Sequence, residues 1–269
     1  MIATSTQAPV FFSPAFAAAT GETIGFRIHA GGVHTSRTMM LAELRSTLEG
    51  VPPEADRSAY WSAIVEENCT HKSTAATRKL TGLRLGDLYA LDPKIPMFRA
   101  LRKVWDVSAE GQPLLAMLTA LTRDRRLLTT ASTIAALQEG EELQRDRMSA
   151  ALRLADSDRL NASILDKVVR NAASSWSQAG HLVGRTFKKR HFVHATPAVA
   201  SFAAYLASHA GLHGVEIFRS GWFQIIDASP AKARELLLEA KQIGLIDMRA
   251  AGDVITLSFD RLDAPQGRG

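Results

Sequence analysis

The most densely charged stretch of this chain is Arg-Thr-Phe-Lys-Lys-Arg at residues 185–190, where permanent cations flank one aromatic ring. Cations at this density attract the phosphates of a nucleic acid without reading its sequence. The run follows a predicted helix that ends at Gly180 and lies among short β-branched and aromatic segments, so we predict that it forms the tip of a β-hairpin. A solvated, charged hairpin with no ligand is the alternative. The candidate DNA-binding residues of this segment are Arg185, Lys188, Lys189 and Arg190.

A second candidate lies in residues 70–84, THKSTAATRKLTGLR, where hydroxyl and cationic side chains gather at a predicted helix start. The N-terminus of a helix presents free backbone N–H groups, and hydroxyls and cations beside it suit phosphate oxygens. With the helix predicted before it, this segment could form a helix-turn-helix whose second helix enters a major groove. An ordinary Ser/Thr cap beside a solvated basic face is the alternative. The candidate DNA-binding residues here are Lys72, Ser73, Thr74, Thr77, Arg78 and Lys79.

Catalytic and metal-binding patterns are weak by comparison. The spaced histidine pairs at 191/194 and 209/213 lack a carboxylate or thiol at a recognised ligand spacing. Glu239 and Lys241 have the Glu-x-Lys spacing of many metal-dependent nucleases, with Asp227 upstream, but they fall in a predicted helix, whereas nuclease carboxylates project from strands. Phosphate-binding glycine loops and serine elbows are not found. We therefore expect a non-enzyme with no metal and no cofactor; an enzyme with an unrecognised site stays an alternative.

Composition indicates a globular protein inside the cell. The 269 residues include 46% hydrophobic side chains, and 32 Lys plus Arg exceed 27 Asp plus Glu, a modest excess compatible with a nucleic-acid partner. The only cysteine, Cys69, cannot form an intramolecular disulfide, which is typical of a reducing compartment. No apolar run approaches the ~18 residues of a membrane helix. We expect a cytoplasmic protein with no membrane partner.

The elements that must position these residues fall into three parts. Residues 1–35 are a turn-rich arm whose Phe11, Phe12 and Phe16 suggest packing onto the rest of the chain. Leucine-faced helices are predicted over 36–155, which would form a bundle containing the helix-turn-helix. Within 156–269, helices ending at Gly180 and Gly244 each precede strand-like segments, as in a winged helix. We predict a mainly α fold: a helical bundle followed by winged-helix-like units, each a helix plus a β-hairpin.

The predicted helix boundaries follow from apolar spacing and from proline and glycine positions. In the bundle, helices are predicted from Ser36 to Gly50 and over 57–68, 73–91, 95–107, 113–128 and 131–154. In the C-terminal part, helices are predicted over 161–178 and 230–242, and strands over 245–249 and 254–259. A further charged cluster at 123–126 is interpreted as helix-surface charge with no binding role.

A series of short motifs resembles the BrxA family of the BREX bacteriophage-defence systems. These motifs span about residues 30–200 and are, in order, Gly31-Gly32, Ser36-Arg37-Thr38-Met39, Glu43-Leu44, Ile64-Val65-Glu66-Glu67-Asn68, Lys72, Thr77-Arg78, Leu88-Tyr89, Leu91, Gly180-His181-Leu182 and Pro197. The resemblance implies a helical, winged-helix protein that binds double-stranded DNA without strong sequence preference, lacks enzymatic activity, and acts with methyltransferase and ATPase partners.

The resemblance implies DNA contacts at only a few positions of this chain. Lys72, Thr77, Arg78 and the basic hairpin after Gly180 fall where DNA contact would be expected. The chain departs from the family in its length, because the unit after Thr196 has no counterpart in it. A protein-interaction scaffold and a transcriptional regulator, each using the winged-helix units, stay open as alternatives.

Overall fold

The computed structural model of the chain describes residues 23–27, 32–155, 161–251 and 254–263. A 3₁₀ turn at Val33–Thr35 precedes the first long helix. The helices of the N-terminal part are α1 (Leu41–Gly50), α2 (Arg57–Val65), α3 (Ala75–Tyr89), α4 (Pro96–Trp105), α5 (Gln112–Leu121), α6 (Arg125–Ala135) and α7 (Arg145–Ala155). The elements that follow are α8 (Ala162–Gln178), β1 (Leu182–Val183), β2 (Lys189–Arg190), α9 (Pro197–His209), α10 (Val215–Arg219), α11 (Gly221–Ile225), α12 (Pro230–Gln242), β3 (Asp247–Ala251) and β4 (Val254–Ser258).

Local signals fix where most of these helices begin. Side-chain oxygens at the N-cap accept hydrogen bonds from backbone N–H groups in the first turn, which satisfies donors that the helix itself cannot pair. The capping residues are Asp56, Thr74, Asp124, Asn161, Thr196 and Ser229. Proline occupies the first turn of α4, α5, α9 and α12, where its missing N–H has no cost.

A single hydrophobic core extends from Ile24 to Leu262. Helix α9 is central to it: the residues from Ala198 to Ala207 are buried, and the helix packs against α4, α5, α11 and α12. The C-terminal helices therefore share their core with the N-terminal bundle. Burial of apolar surface on this scale is the main stabilising contribution to such a fold.

Two of the predicted helices are interrupted in the structure. The helix predicted over 113–128 divides into α5 and α6, because the carboxylate of Asp124 accepts from the N–H groups of Arg126 and Leu127 and so starts a new helix. The helix predicted over 131–154 is interrupted between α6 and α7, where Gly140 adopts a φ of 78° that other residues rarely adopt. Charged helical patterning alone does not reveal either break.

The segment before the first long helix stays non-helical for more residues than predicted. Helix α1 begins at Leu41 rather than near Ser36, because Met40 has a left-handed backbone (φ 55°) and the Met39 N–H donates to the Ser175 hydroxyl at 2.8 Å. Of the predicted arm, Phe26 and the 3₁₀ turn are buried in the core. Phe11, Phe12 and Phe16 lie outside the described residues.

Each C-terminal helix-plus-hairpin unit is present. In the first hairpin (residues 182–190), Leu182 pairs with Arg190 and Val183 with Lys189. The segment between α6 and α7 pairs with the other side of β2, where the Arg190 N–H donates to the Glu141 carbonyl at 2.8 Å. The resulting order, α6, a strand-like segment, α7, α8 and a hairpin, is that of a winged helix. The second unit ends in α12, β3 and β4. The mainly α fold with helix-plus-hairpin units is confirmed.

Candidate nucleic-acid interface

The first hairpin presents some of its predicted cations to solvent. Arg185 and Lys189 are exposed and form no ion pair among the described residues. Lys188 is half-buried, and its ammonium group donates to the Ser177 hydroxyl of α8 at 2.7 Å. Gly184 makes the turn possible, because a Cβ there would lie 2.2 Å from the Phe187 carbonyl oxygen. The hairpin is thus held against α8 while Arg185 and Lys189 stay available to a ligand.

Arg190 belongs to the core rather than to the interface. Its side chain is 1% exposed and forms an ion pair with Asp227, and its guanidinium carbon lies 4.9 Å from the centre of the Phe192 ring. The carboxylate of Asp227 also accepts from the Val193 N–H at 2.7 Å. The assignment of Arg190 as a phosphate contact is therefore corrected: it fastens the hairpin to the turn after α11.

A cleft of about 580 Å³ lies between this hairpin, α8 and the start of α7; we call it the hairpin cleft. Its cations come from all three elements, and two carboxylates face the same space. The charged residues that line it are Glu142, Arg145, Asp146, Arg170, Arg185 and Lys188. Asp166 partly neutralises the α8 side, at 3.0 Å from Arg170 and 3.6 Å from Arg145. The cleft can therefore hold a polar, anionic ligand of small-molecule size.

Helix α8 occupies the place of the recognition helix in a winged helix, directly before the hairpin. Its exposed face carries Ser163, Lys167 and Arg170, spaced by three or four residues along the chain. Sequence analysis did not select Arg145, Lys167 or Arg170, although polar residues at this spacing in the helix before a basic hairpin would have been the signal for the latter two.

The predicted helix-turn-helix segment is largely engaged in its own structure. The Thr74 hydroxyl caps α3 by accepting from the Thr77 N–H at 3.1 Å, and it lies 2.9 Å from the Thr77 hydroxyl. Lys72 is paired with Glu43 at 2.7 Å. Arg78 is half-buried, and Ser73 and Lys79 are exposed. Thr74 is exposed as well but is engaged as the cap, so Ser73 and Lys79 are the exposed residues of this segment that are left for a ligand.

Helix α1 connects the two predicted DNA-binding segments. Glu43 of α1 holds Lys72, and the Leu41 N–H at the start of the same helix donates to the Gln178 side chain at 3.2 Å. The residue before Gln178 is Ser177, which holds Lys188 of the first hairpin. The start of α3 and the base of the first hairpin therefore flank the same meeting point of α1 and α8.

A further polar cluster has the arrangement of a catalytic serine, histidine and aspartate. The His34 Nδ1 atom lies 2.8 Å from Asp124 Oδ2, and its Nε2 atom lies 2.8 Å from the Ser175 Oγ. No sequence pattern reveals this cluster, because 141 positions separate His34 from Ser175 and no motif surrounds either residue. Triads are recognised by geometry and role rather than by sequence position.

Burial decides what this cluster does in the described fold. All three side chains are completely buried, so the Ser175 hydroxyl has no path to a substrate carbonyl. That hydroxyl also accepts from the Met39 N–H and reaches the Asn171 carbonyl at 2.9 Å. The cluster fastens the segment before α1 to α6 and α8. Desolvation raises the pKa of Asp124, but the His34 charge and the hydrogen bonds outweigh it, so the net effect is a lowered pKa.

His181 sits beneath the first hairpin as a neutral group. It is fully buried, its Nε2 lies 2.6 Å from the Ile225 carbonyl oxygen, and its ring packs edge-on against Trp176 at 4.9 Å. Burial lowers the pKa of His181 to about 3, and the neighbouring Arg190 charge acts in the same direction. Its Nδ1 atom has no hydrogen-bond partner among the residues that the structure describes. A charged imidazole would be strongly disfavoured at this position.

Other predicted features can be placed briefly. The charged cluster at 123–126 was predicted to lie on a helix surface, and this prediction is wrong: Asp124 and Arg126 are buried, and the Arg123 guanidinium donates to the Asp87 carbonyl at 2.8 Å. Within residues 23–27, 32–155, 161–251 and 254–263, no group of three or more His, Cys, Asp or Glu side chains is arranged to hold a metal ion. No helix in the same ranges has the length and apolar character needed to cross a membrane. Protein-family models give no match to this chain, and no curated protein matches it.

Proposed function

We propose that this protein binds double-stranded DNA as a non-catalytic subunit, mainly through the phosphate backbone. The observation that carries the proposal is that Arg170 of α8 and Arg185 of the first hairpin line the same cleft. Helix and hairpin therefore offer cations to one ligand, as a recognition helix and a wing do in a winged helix. Exposed Lys167 and Lys189 extend the basic surface from these two elements.

Phosphate is the ligand chemistry that this surface suits best. Arginine presents a planar fork of donors that matches phosphate oxygens, and lysine adds a point charge. Contacts of this kind position a protein on DNA without reading its sequence. Ser73 and Lys79 at the start of α3 offer a second, smaller contact. Binding in this mode would be sequence-tolerant and strongly dependent on salt.

The setting that we propose is bacteriophage defence. Its support is the resemblance of residues 30–200 to the BrxA family, in which DNA binding serves a system that includes a methyltransferase and an ATPase. The proposed partners are accordingly double-stranded DNA and those two proteins, and the proposed location is the cytoplasm.

The test is a salt titration of binding to a fluorescent duplex, followed by anisotropy. The informative variant carries Arg185→Gln and Lys189→Gln, because both side chains are exposed and unpaired among the described residues. Each lost phosphate contact should reduce the slope of log K against log salt by about 0.9. Arg190 is left unchanged, since its removal would leave Asp227 buried without its partner.

The matched control is Lys241→Gln, which removes an exposed cation from the last turn of α12. It should leave both affinity and slope unchanged. If the double variant binds with the affinity and slope of the unsubstituted protein, the hairpin is not the binding surface. If the unsubstituted protein does not bind duplex at micromolar concentration in low salt, the proposed function fails.

A protein-interaction scaffold is the second candidate, and it is favoured by a different surface. A groove of about 1140 Å³ is lined by Trp61 of α2, Leu83 of α3 and Pro93. Trp61 is 40% exposed and Leu83 is 56% exposed. Contiguous apolar surface of this kind often marks a site of protein association. A folded protein that shows no DNA binding in the salt titration would favour this candidate.

A further inference from the structure

The aromatic ring at the tip of the first hairpin is placed for contact with a ligand. Phe187 is 67% exposed, lies in the loop between β1 and β2, and lines the hairpin cleft. It makes no ring contact with another aromatic side chain of the described residues. An exposed aromatic ring between cations is the pairing that binds nucleic-acid bases by stacking while cations hold the backbone.

The chain on both sides of Phe187 is held in place. The Lys188 ammonium group is anchored on Ser177, and the Lys188 carbonyl accepts from the Leu143 N–H at 2.8 Å. On the other strand, Gly184 takes a φ of 101° and closes the loop tightly against Phe187. The phenyl ring is therefore presented by a braced turn, and little further ordering is needed when a ligand arrives.

The residues that line the cleft suit a ligand with more polar groups than a phosphate alone. Glu142 and Asp146 also line it and form no ion pair among the described residues, so they disfavour a ligand that fills the whole cleft with phosphate alone. Carboxylates accept hydrogen bonds from exocyclic amino groups, such as that of cytosine. An unpaired nucleotide offers a phosphate for the cations, a ring face for Phe187 and base edges for the carboxylates. A base inside an intact duplex offers neither its face nor its pairing edge.

We infer that the hairpin cleft holds an unpaired nucleotide of DNA, stacked on Phe187, beside the duplex that α8 and the hairpin contact. This inference rests on the proposed function and names its preferred substrate: duplex DNA with unpaired bases, as at an overhang, a junction or a bubble. In this arrangement Arg170 of α8 and Arg185 of the hairpin contact the phosphates where the unpaired nucleotide joins the duplex.

The test compares two fluorescent probes that share one duplex of about 20 base pairs. One probe is blunt, and the other carries a single-stranded tail of about three cytosines. Stacking of one base on Phe187 predicts about tenfold tighter binding of the tailed probe. The informative variant is Phe187→Ala, which should lose this preference and bind both probes alike. The control is Leu154→Ala, an exposed apolar residue at the opposite end of α7, which should keep the preference.

The outcomes separate the inference from the proposed function. Equal binding of blunt and tailed probes by the unsubstituted protein would overturn the inference and leave duplex binding intact. A preference for the tail that survives Phe187→Ala would also overturn it, because the base would then stack elsewhere. Binding of neither probe would defeat the proposed function itself. Circular dichroism and thermal melting of Phe187→Ala establish that the variant is folded, as expected for a change at an exposed tip.

Discussion

Acidification should destabilise this protein through His181, and the size of the effect follows from its burial. The pKa of His181 is about 3 in the folded state, because a buried imidazolium would lose its hydration beside the Arg190 charge. In the unfolded chain the pKa is about 6.5. The unfolded state therefore binds a proton that the folded state does not. Stability is complete above the unfolded value and falls progressively as the pH drops from about 6.5 toward 3.

The magnitude can be worked out for a convenient interval. Each pH unit between the two pKa values costs about 1.4 kcal/mol, so moving from pH 7.5 to pH 5.0 should remove about 2 kcal/mol of unfolding free energy through His181. Asp124 stays ionised over this interval because its pKa is lowered, whereas burial raises the pKa of Asp227. The pKa of His209 is also lowered by burial and adds to the total loss, so the total alone does not identify His181.

The assay is urea unfolding at pH 7.5 and at pH 5.0 for the unsubstituted protein and for His181→Gln. Glutamine keeps a donor for the Ile225 carbonyl but does not titrate, so the variant should lose about 2 kcal/mol less over this interval. His213→Gln, at an exposed histidine, is the matched control and should behave as the unsubstituted protein. An equal loss in all three proteins, with unchanged denaturant slopes, would refute the reasoning.

Two further predictions concern buried charge. Asp124→Asn should lower the free energy of unfolding by about 3–5 kcal/mol, because it leaves the buried His34 ring without its carboxylate partner. Chemical denaturation measures this change. A loss below about 1 kcal/mol would contradict the stabilising role of the cluster. Arg190→Met should cost a similar amount, whereas combining it with Asp227→Leu should restore much of the loss, because no charge is then buried alone. A double variant no more stable than Arg190→Met in the same assay would contradict this account.

Those parts of the fold that local signals determine could be predicted from the sequence. Asn161 caps α8, Gly180 ends that region with a φ of 90°, and the basic run then returns as β2. Each of these features acts over a few residues, so composition and spacing reveal it. Gly244, with a φ of 79°, plays the same part before β3. The helix-plus-hairpin units were predictable for this reason.

The rest depends on contacts between distant residues. The pairing of Glu142 with Lys189 converts a predicted helix into a strand-like segment, and no local pattern records that partnership. The hydrogen bond between His34 and Ser175 likewise joins residues that are far apart in the sequence. One difference was within reach of the sequence: side chains alternate across a strand, so if one face of the hairpin packs against the fold, only one of Lys189 and Arg190 faces solvent.

The contacts that each cation makes in the fold decide how charge relates to function in this protein. Several cations that add to the net charge of +5 are used inside the fold. Arg102 is buried and donates to the carbonyls at the end of α1, Arg123 donates to that of Asp87, and Arg190 pairs with Asp227. A DNA-binding surface can only be built from the cations that such contacts leave at the surface. Because Arg185 and Lys189 are left on the first hairpin beside a cleft that Arg170 also lines, position rather than net charge supports the binding proposal.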